Sequence, residues 1–191
     1  IDAKNETSAT NVFIYDIKSE KHFQLNSPFQ RISQPRWMSD NRIAFIERGA
    51  EAAQVASLNV FGGDKIIHGD LPKSVLEFKF SPSENYLVTL QPVKTSKGIH
   101  DRHTDLPKAN ALVTDELMFR HWDIWKDEYR TQLFLYTVKE QKINPNGKNL
   151  LAGEDVDAVM PPFAGMEDVA FSMDEEFVVY ATKKMNDDQF A

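Results

Sequence analysis

The chain has 191 residues, 41% of them hydrophobic and 27% charged, with a formal net charge of −7 at pH 7. That balance fits a folded globular protein and argues against a nucleic-acid binder, which would show a basic patch or stripe, and no apolar run reaches the roughly 18 residues of a membrane span. Cysteine is absent, which excludes disulfides and thiolate metal sites. Such a composition suits a cytosolic or bacterial periplasmic protein better than a small secreted domain.

The chain opens without a Met, a basic segment or an apolar segment, so it is expected to start after a removed targeting signal or inside a longer protein. Helical periodicity is nearly absent. Short β-type runs fall, in order, at residues 12–17, 42–46, 54–60, 65–67, 76–80, 86–90, 133–138, 169–171 and 177–180. Each is bounded by Gly, Pro, Asn, Asp or Ser, as strands joined by tight turns should be. Residues 12–17 and Phe23-Gln24-Leu25 read as a pair joined across 18–21.

A motif then recurs. Trp37-Met38-Ser39-Asp40 precedes Ile43-Ala44-Phe45, and Phe80-Ser81-Pro82-Ser83-Glu84-Asn85 precedes Tyr86-Leu87-Val88. Phe171-Ser172-Met173-Asp174-Glu175-Glu176 precedes Phe177-Val178-Val179-Tyr180. Each reads as a strand ending in an aromatic, a Ser/Asp turn able to bond its own backbone, and a second apolar strand. The first two copies lie one period of about 40–50 residues apart, the spacing of propeller blades. The next lies about twice as far on, and residues 92–110 between them are polar and irregular. An insertion spanning about 92–128 explains the gap. Residues 131–138 and 142–151 then form the outer pair of the interrupted unit, and Gly62-Gly63-Asp64 turns the corresponding pair before it.

The expected fold is therefore all-β: a partial β-propeller of about two full four-stranded blades plus two half blades, with one long insertion. A closed propeller has at least four blades, and open faces leave unpaired edges. The chain is thus expected to be a portion of a larger protein.

The densest aromatic and charged stretch ends the insertion: Asp115-Glu116-Leu117-Met118-Phe119-Arg120-His121-Trp122-Asp123-Ile124-Trp125. With the strand Leu133-Phe134-Leu135-Tyr136, it resembles the propeller of the prolyl oligopeptidase family, in particular dipeptidyl-peptidase V and acylaminoacyl-peptidase-like enzymes. Met160-Pro161-Pro162-Phe163-Ala164-Gly165-Met166-Glu167-Asp168 resembles the start of their next blade. The resemblance implies that residues 1–191 are a portion of an N-terminal propeller, partnered by an α/β-hydrolase domain of the same protein. The family's Gly-x-Ser-x-Gly elbow, followed by Asp and His, has no counterpart here, so no residue of this chain is assigned a catalytic role.

The implied role is gating and positioning short peptides, in a periplasmic or secreted enzyme, with a cytoplasmic one possible. Loops on a rigid scaffold tend to hold recognition groups. Holding a peptide's amino end needs carboxylates or carbonyls at fixed distance. The candidate substrate-binding residues are Glu116, Arg120, His121 and Asp123, with Glu167 and Asp168 as further acids. Against this stands a purely structural Arg120–Asp123 pair with Trp122 as its anchor. Glu116, His121 and Asp123 do not amount to the ligand set zinc requires, and no cofactor is implied. His100 and His103 read as solvated loop residues. The acidic runs 154–157 and 174–176 read as solvated turns without calcium-loop spacing. A TolB-like periplasmic binding propeller is the alternative; the sequence after Ala191 discriminates between the two.

Overall fold

The computed structural model describes residues 11–25, 32–113, 120–121, 124–160 and 164–182. Within them the chain is all-β, built of antiparallel sheets, none of which closes on itself. β1 (Phe13–Asp16) and β2 (Lys21–Gln24) form a hairpin. β3 (Ile32–Trp37), β4 (Arg42–Arg48), β5 (Ala52–Asn59) and β6 (Ile66–Pro72) form a four-stranded meander. β7 (Glu77–Phe80) and β8 (Tyr86–Lys94) start a second sheet. A detour follows through the single-turn α1 (Ile99–Arg102) and the short pair β9 (Arg120–His121) and β10 (Ile124–Trp125). β11 (Tyr129–Lys139) then returns to β8, and β12 (Lys142–Ile143) and β13 (Lys148–Asn149) pair with β11. A 3-10 turn at Met166–Asp168 leads into the hairpin of β14 (Val169–Phe171) and β15 (Val178–Tyr180).

The four main sheets bury their faces against one another in chain order. Ile32, Phe45 and Ala56 form a core that also takes Val12, beside the first hairpin. Alternate residues of the same strands, Ala44, Ile46, Ala53 and Val55, face the other way and pack with Phe78, Leu87, Tyr136 and Val138 of the second sheet. That sheet's other face carries Val88, Leu90 and Leu133 against Met166 and Val169. A strand buried on both sides needs apolar residues at every position, which is why β4 reads Ile43-Ala44-Phe45-Ile46 without alternation.

The three sequence repeats are structurally equivalent. Trp37, Phe80 and Phe171 each end the first strand of a separate sheet, opposite Ile43, Leu87 and Val178. Four residues after each aromatic, Asn41, Glu84 and Glu175 adopt left-handed φ of 59°, 63° and 60°, a conformation uncommon for non-glycine residues. In the second and third turns Ser81 and Ser172 accept the amides of Tyr86 and Phe177, each at 3.0 Å. The two glutamates also reach backwards. Glu84 Oε1 accepts Ser39 N–H at 2.7 Å; Glu175 accepts Ser83 N–H, and its Oε2 accepts Ser83 Oγ–H at 2.7 Å. Each turn is thus tied to the turn of the sheet before it.

Two expectations need correction. The insertion does not start at 92, because β8 continues to Lys94 and pairs residue for residue with β11, ending at Lys94↔Tyr129. Pro92 fits because Thr131 opposite directs its backbone outward: its N–H goes to Asp157 at 2.8 Å and its carbonyl to Ala158 N–H at 2.7 Å. A missing proline N–H on that rung breaks no ladder bond. The expected outer strand at 142–151 is two short pieces, split at Pro145-Asn146-Gly147. Gly147 lies against the Tyr136 ring, where a Cβ would fall 2.3 Å from Cζ. No residue with a side chain fits there without displacing the ring, and the strand cannot run straight through.

Candidate functional site

The most concentrated set of polar groups shared between sheets lies on their first strands. Along β7 the sequence Glu77-Phe78-Lys79-Phe80 alternates, so its aromatics and its charges face opposite ways. Phe78 is buried and meets Phe80 edge to face at 5.9 Å. On the charged side, Arg36 of β3 donates through Nη2 to Glu77 Oε2 at 3.3 Å and to Gln34 Oε1 at 2.8 Å. Glu77 Oε2 also accepts Met166 N–H at 3.4 Å. Lys79 donates to the carbonyls of Met166, at 2.6 Å, and Val169. Three sheets are thus joined by one charged row.

A bulge aims Arg36 into this row. Ser33 pairs with Ile46 and Arg36 with Ala44, so Gln34 and Pro35 together oppose Phe45. Gln34 takes a left-handed φ of 56°, and Pro35 sits where an edge strand needs no donor. Gly165 admits the acids: a Cβ there would fall 2.7 Å from Glu77 Oε1 and 2.8 Å from Glu167 Oε2. The two carboxylates therefore flank one backbone position. Burial pushes the Lys79 ammonium below its ordinary pKa, Arg36 pushes it further, and Glu167 and Glu77 oppose both. Beside the row, a cleft of about 390 Å³ opens between the first turns of the two larger sheets, walled by Arg36, Trp37, Lys79, Phe80 and Glu84 among others.

A second polar network is sealed. His68 is the extra residue of a bulge in β6, since Val55 pairs with Gly69 and Ala56 with Ile67. Its Nδ1 lies 2.8 Å from the Gln141 carbonyl and its Nε2 lies 2.8 Å from Ser57 Oγ, which also accepts Arg42 Nε–H at 2.8 Å. A Ser–His contact of that length suits a nucleophile and its base. Here Ser57 is 0% and His68 1% exposed, so no substrate reaches them, and the pair is a structural tie between two sheets.

The sequence-predicted residues are only partly placed. Glu116 and Asp123, with Trp122, lie outside the described residues. Arg120 and His121 form β9, paired with Trp125 and Ile124. Glu167 and Asp168 lie in the 3-10 turn, with Glu167 close to the charged row and the Asp168 backbone carbonyl accepting Ala181 N–H at 3.3 Å. His100 lies in α1 and His103 caps it, both exposed. Among the described residues no group of three His, Asp or Glu side chains could hold a metal.

The base of the insertion has a clamp that sequence reasoning missed. Arg130 Nε stands 2.9 Å from Asp155 Oδ1 as an ion pair rather than a directed hydrogen bond, and Arg130 Nη1 donates to the Asp127 carbonyl at 2.6 Å. Thr95 Oγ donates to the same Asp155 oxygen at 2.6 Å. Asp157, half-buried, caps Thr131, and burial pushes its carboxyl up. The acidic run 154–157 is accordingly not simply a solvated turn.

No family model matches the chain. It is 27% identical over 184 residues to dipeptidyl-peptidase 5 of Porphyromonas gingivalis and 28% identical over 182 residues to that of Porphyromonas endodontalis. These alignments cover 96% and 95% of this chain but 27% and 26% of the relatives, so the chain spans about a quarter of their length. An acylaminoacyl peptidase from Pyrococcus horikoshii shares the fold, with a TM-score of 0.53 at 10% identity, over 83% of this chain and 23% of that one. The likeness to prolyl-oligopeptidase-type peptidases first read from a few motifs extends along nearly the whole chain.

Proposed function

We propose that this chain, similar over nearly its whole length to part of the dipeptidyl-peptidase 5 proteins, is the non-catalytic propeller portion of a dipeptidyl-peptidase- or acylaminoacyl-peptidase-like serine peptidase. The observation that carries this reading is the thrice-repeated hairpin, each copy opening a sheet packed against the one before, in a chain whose relatives are peptidases. In this reading the sheets are blades. They wall a cavity, admit short unfolded peptides and help fix their ends, while a hydrolase domain of the same protein performs acyl transfer through a Ser-His-Asp triad. Glu116, Arg120, His121 and Asp123 face substrate from the end of the insertion. The enzyme works in the periplasm or is secreted.

Two measurements on the intact protein test this. It should release a chromophore from dipeptidyl substrates, and a fluorophosphonate should label one serine outside residues 1–191; labelling within 1–191, or no hydrolysis, overturns the reading. Asp123→Asn should leave the unfolding midpoint unchanged while kcat/KM falls roughly ten- to a hundredfold, the loss of one charge-assisted bond. Wild-type kcat/KM on every dipeptide tested would remove Asp123 from the site.

A further inference from the structure

The break between β12 and β13 holds a pair of residues that the sequence does not repeat: Asn146-Gly147 is its single Asn-Gly step. Both lie between strands, so no ladder bond fixes them. Asn146 is exposed. Its main-chain N–H goes to Asn144 Oδ1 at 3.0 Å, while among the described residues no partner holds its side-chain amide. The Gly147 N–H makes only a long contact within its own turn, 3.2 Å to the Pro145 carbonyl. Glycine has no Cβ to shield that nitrogen, and the nitrogen and Asn146 Cγ are held close by the chain itself, so their reaction is intramolecular. The neighbouring asparagines are built otherwise. Asn144 is followed by Pro145, whose nitrogen carries no proton. Asn149 is bonded at both ends of its amide, to Gln132 Oε1 at 2.8 Å and from Leu151 N–H at 2.9 Å.

We propose that Asn146-Gly147 is a self-modification site, where water converts the asparagine to aspartate and isoaspartate. The Gly147 nitrogen, its proton passed to solvent, attacks Asn146 Cγ. The new N–C bond closes a succinimide, and the side-chain nitrogen leaves as ammonia. Water then opens the ring at either carbonyl. Cleavage of the N–Cγ bond leaves aspartate; cleavage at the main-chain carbonyl leaves isoaspartate, with the chain now running through Cβ and Cγ. One water is consumed, one ammonia is released, and nothing is oxidised or reduced. Either product adds a negative charge at the turn, and isoaspartate also lengthens the main chain by one carbon. The surroundings leave no slack for that. Ile143 is paired with Val138 and Lys148 with Leu135, so the segment between them is tied to β11 at both ends. Within it, Gly147 lies where even a Cβ would fall 2.3 Å from Tyr136 Cζ. Tyr136 belongs to the core between the two larger sheets, and its hydroxyl accepts Gln91 Nε2–H at 2.7 Å. A reaction on an exposed turn is thereby felt in a buried core.

The test is to hold the intact protein at mildly alkaline pH for as long as a synthetic peptide of residues 143–148 takes to convert fully, then map its proteolytic peptides by mass spectrometry. The stretch 143–148 should gain the mass of one amide-to-acid exchange in two isomeric forms, placed at residue 146 by fragmentation. An isoaspartate methyltransferase should label one of them, and the peptide carrying Asn149 should stay unchanged. Asn146→Gln, whose side chain is one carbon too long to close that ring, should abolish the gain. Aged wild-type protein enriched in isoaspartate should melt below fresh wild type, whereas Asn146→Asp, which supplies the charge on an unaltered main chain, should melt with it. An unmodified Asn146, or conversion no faster than at Asn149, overturns the site. Isoaspartyl protein that melts together with Asn146→Asp overturns its link to the core.

Discussion

His68 shows how one buried side chain can make stability depend on pH. The Gln141 carbonyl accepts a proton from Nδ1, so Nε2 must accept one from Ser57, whose oxygen already receives Arg42 Nε–H. The neutral imidazole satisfies every partner; a protonated one would set a second cation beside Arg42. Burial is the main cause holding its pKa below the ordinary value of 6.5, with Arg42 and Lys142 adding to it and the Gln141 carbonyl and Glu84 opposing. Between the folded and unfolded pKa values the unfolded chain binds more protons, so stability rises with pH there. The contribution is complete above about 6.5, the unfolded value, and is lost as pH falls through the depressed folded one. Melting temperatures between pH 7.5 and 5 should therefore drop more steeply for wild type than for His68→Gln, whose midpoint is lower throughout but flatter. Parallel curves would remove His68 from the acid response. Nothing in the sequence marks His68, because Ser57 and Gln141 reach it only across a bulge and from another sheet.

Among the elements, the turns were the most legible. Aromatic, Ser/Asp turn and apolar strand are all local signals, and the structure places the three copies at equivalent points of three sheets. The reach of Glu84 and Glu175 was not legible, since a sequence shows a residue's chain neighbours and not the turn beside it in space. The row of Arg36, Glu77 and Lys79 was missed for the same reason, although the alternation in Glu77-Phe78-Lys79-Phe80 was a usable sign of a two-faced strand. The outer strand at 142–151 was overextended because its apolar ends outweighed Pro145 and Gly147 in the middle. If the backward-reaching glutamates hold neighbouring sheets together, Glu175→Ala should speed hydrogen exchange at the Ser83 amide and lower the melting point slightly. Glu175→Gln, which keeps an acceptor oxygen, should retain most of the protection. Unchanged exchange at Ser83 in Glu175→Ala would show that this contact bears nothing.

At the scale of the molecule, stability is distributed over three cores, each shared by two consecutive sheets. The two outermost hairpins leave large apolar residues exposed, Phe13, Tyr15, Ile17 and Phe23 on one and Met173, Phe177 and Val179 on the other, while others such as Trp37 and Phe61 are scattered over the inner sheets. The inner sheets, packed on both faces, carry the longest strands, β8 and β11. Sequence reading reached the succession of sheets through the repeat of aromatic, Ser/Asp turn and apolar strand, which marks the first hairpin of each one. It could not assemble the charged row, because Arg36, Glu77 and Met166 are brought together from three separate sheets.

The ladder between β8 and β11 sets a timetable as well as a shape. Its nine rungs, Tyr86↔Thr137 through Lys94↔Tyr129, close only after the chain has travelled through residues 95–128. Each doubling of a flexible loop adds about 0.6 kcal/mol of closure entropy, so exchanging residues 96–127 for a tight turn, about three halvings, should stabilise the chain by at most about 2 kcal/mol. The effect on rate should be plainer, because distant pairings slow folding far more than they weaken the native state. Stopped-flow refolding of the shortened protein should be several-fold faster, with unfolding nearly unchanged, if the ladder is already formed at the barrier; an unchanged refolding rate would place its closure after the barrier. A segment whose described residues lie outside every core would then decide how quickly the cores on both sides of that sheet can assemble.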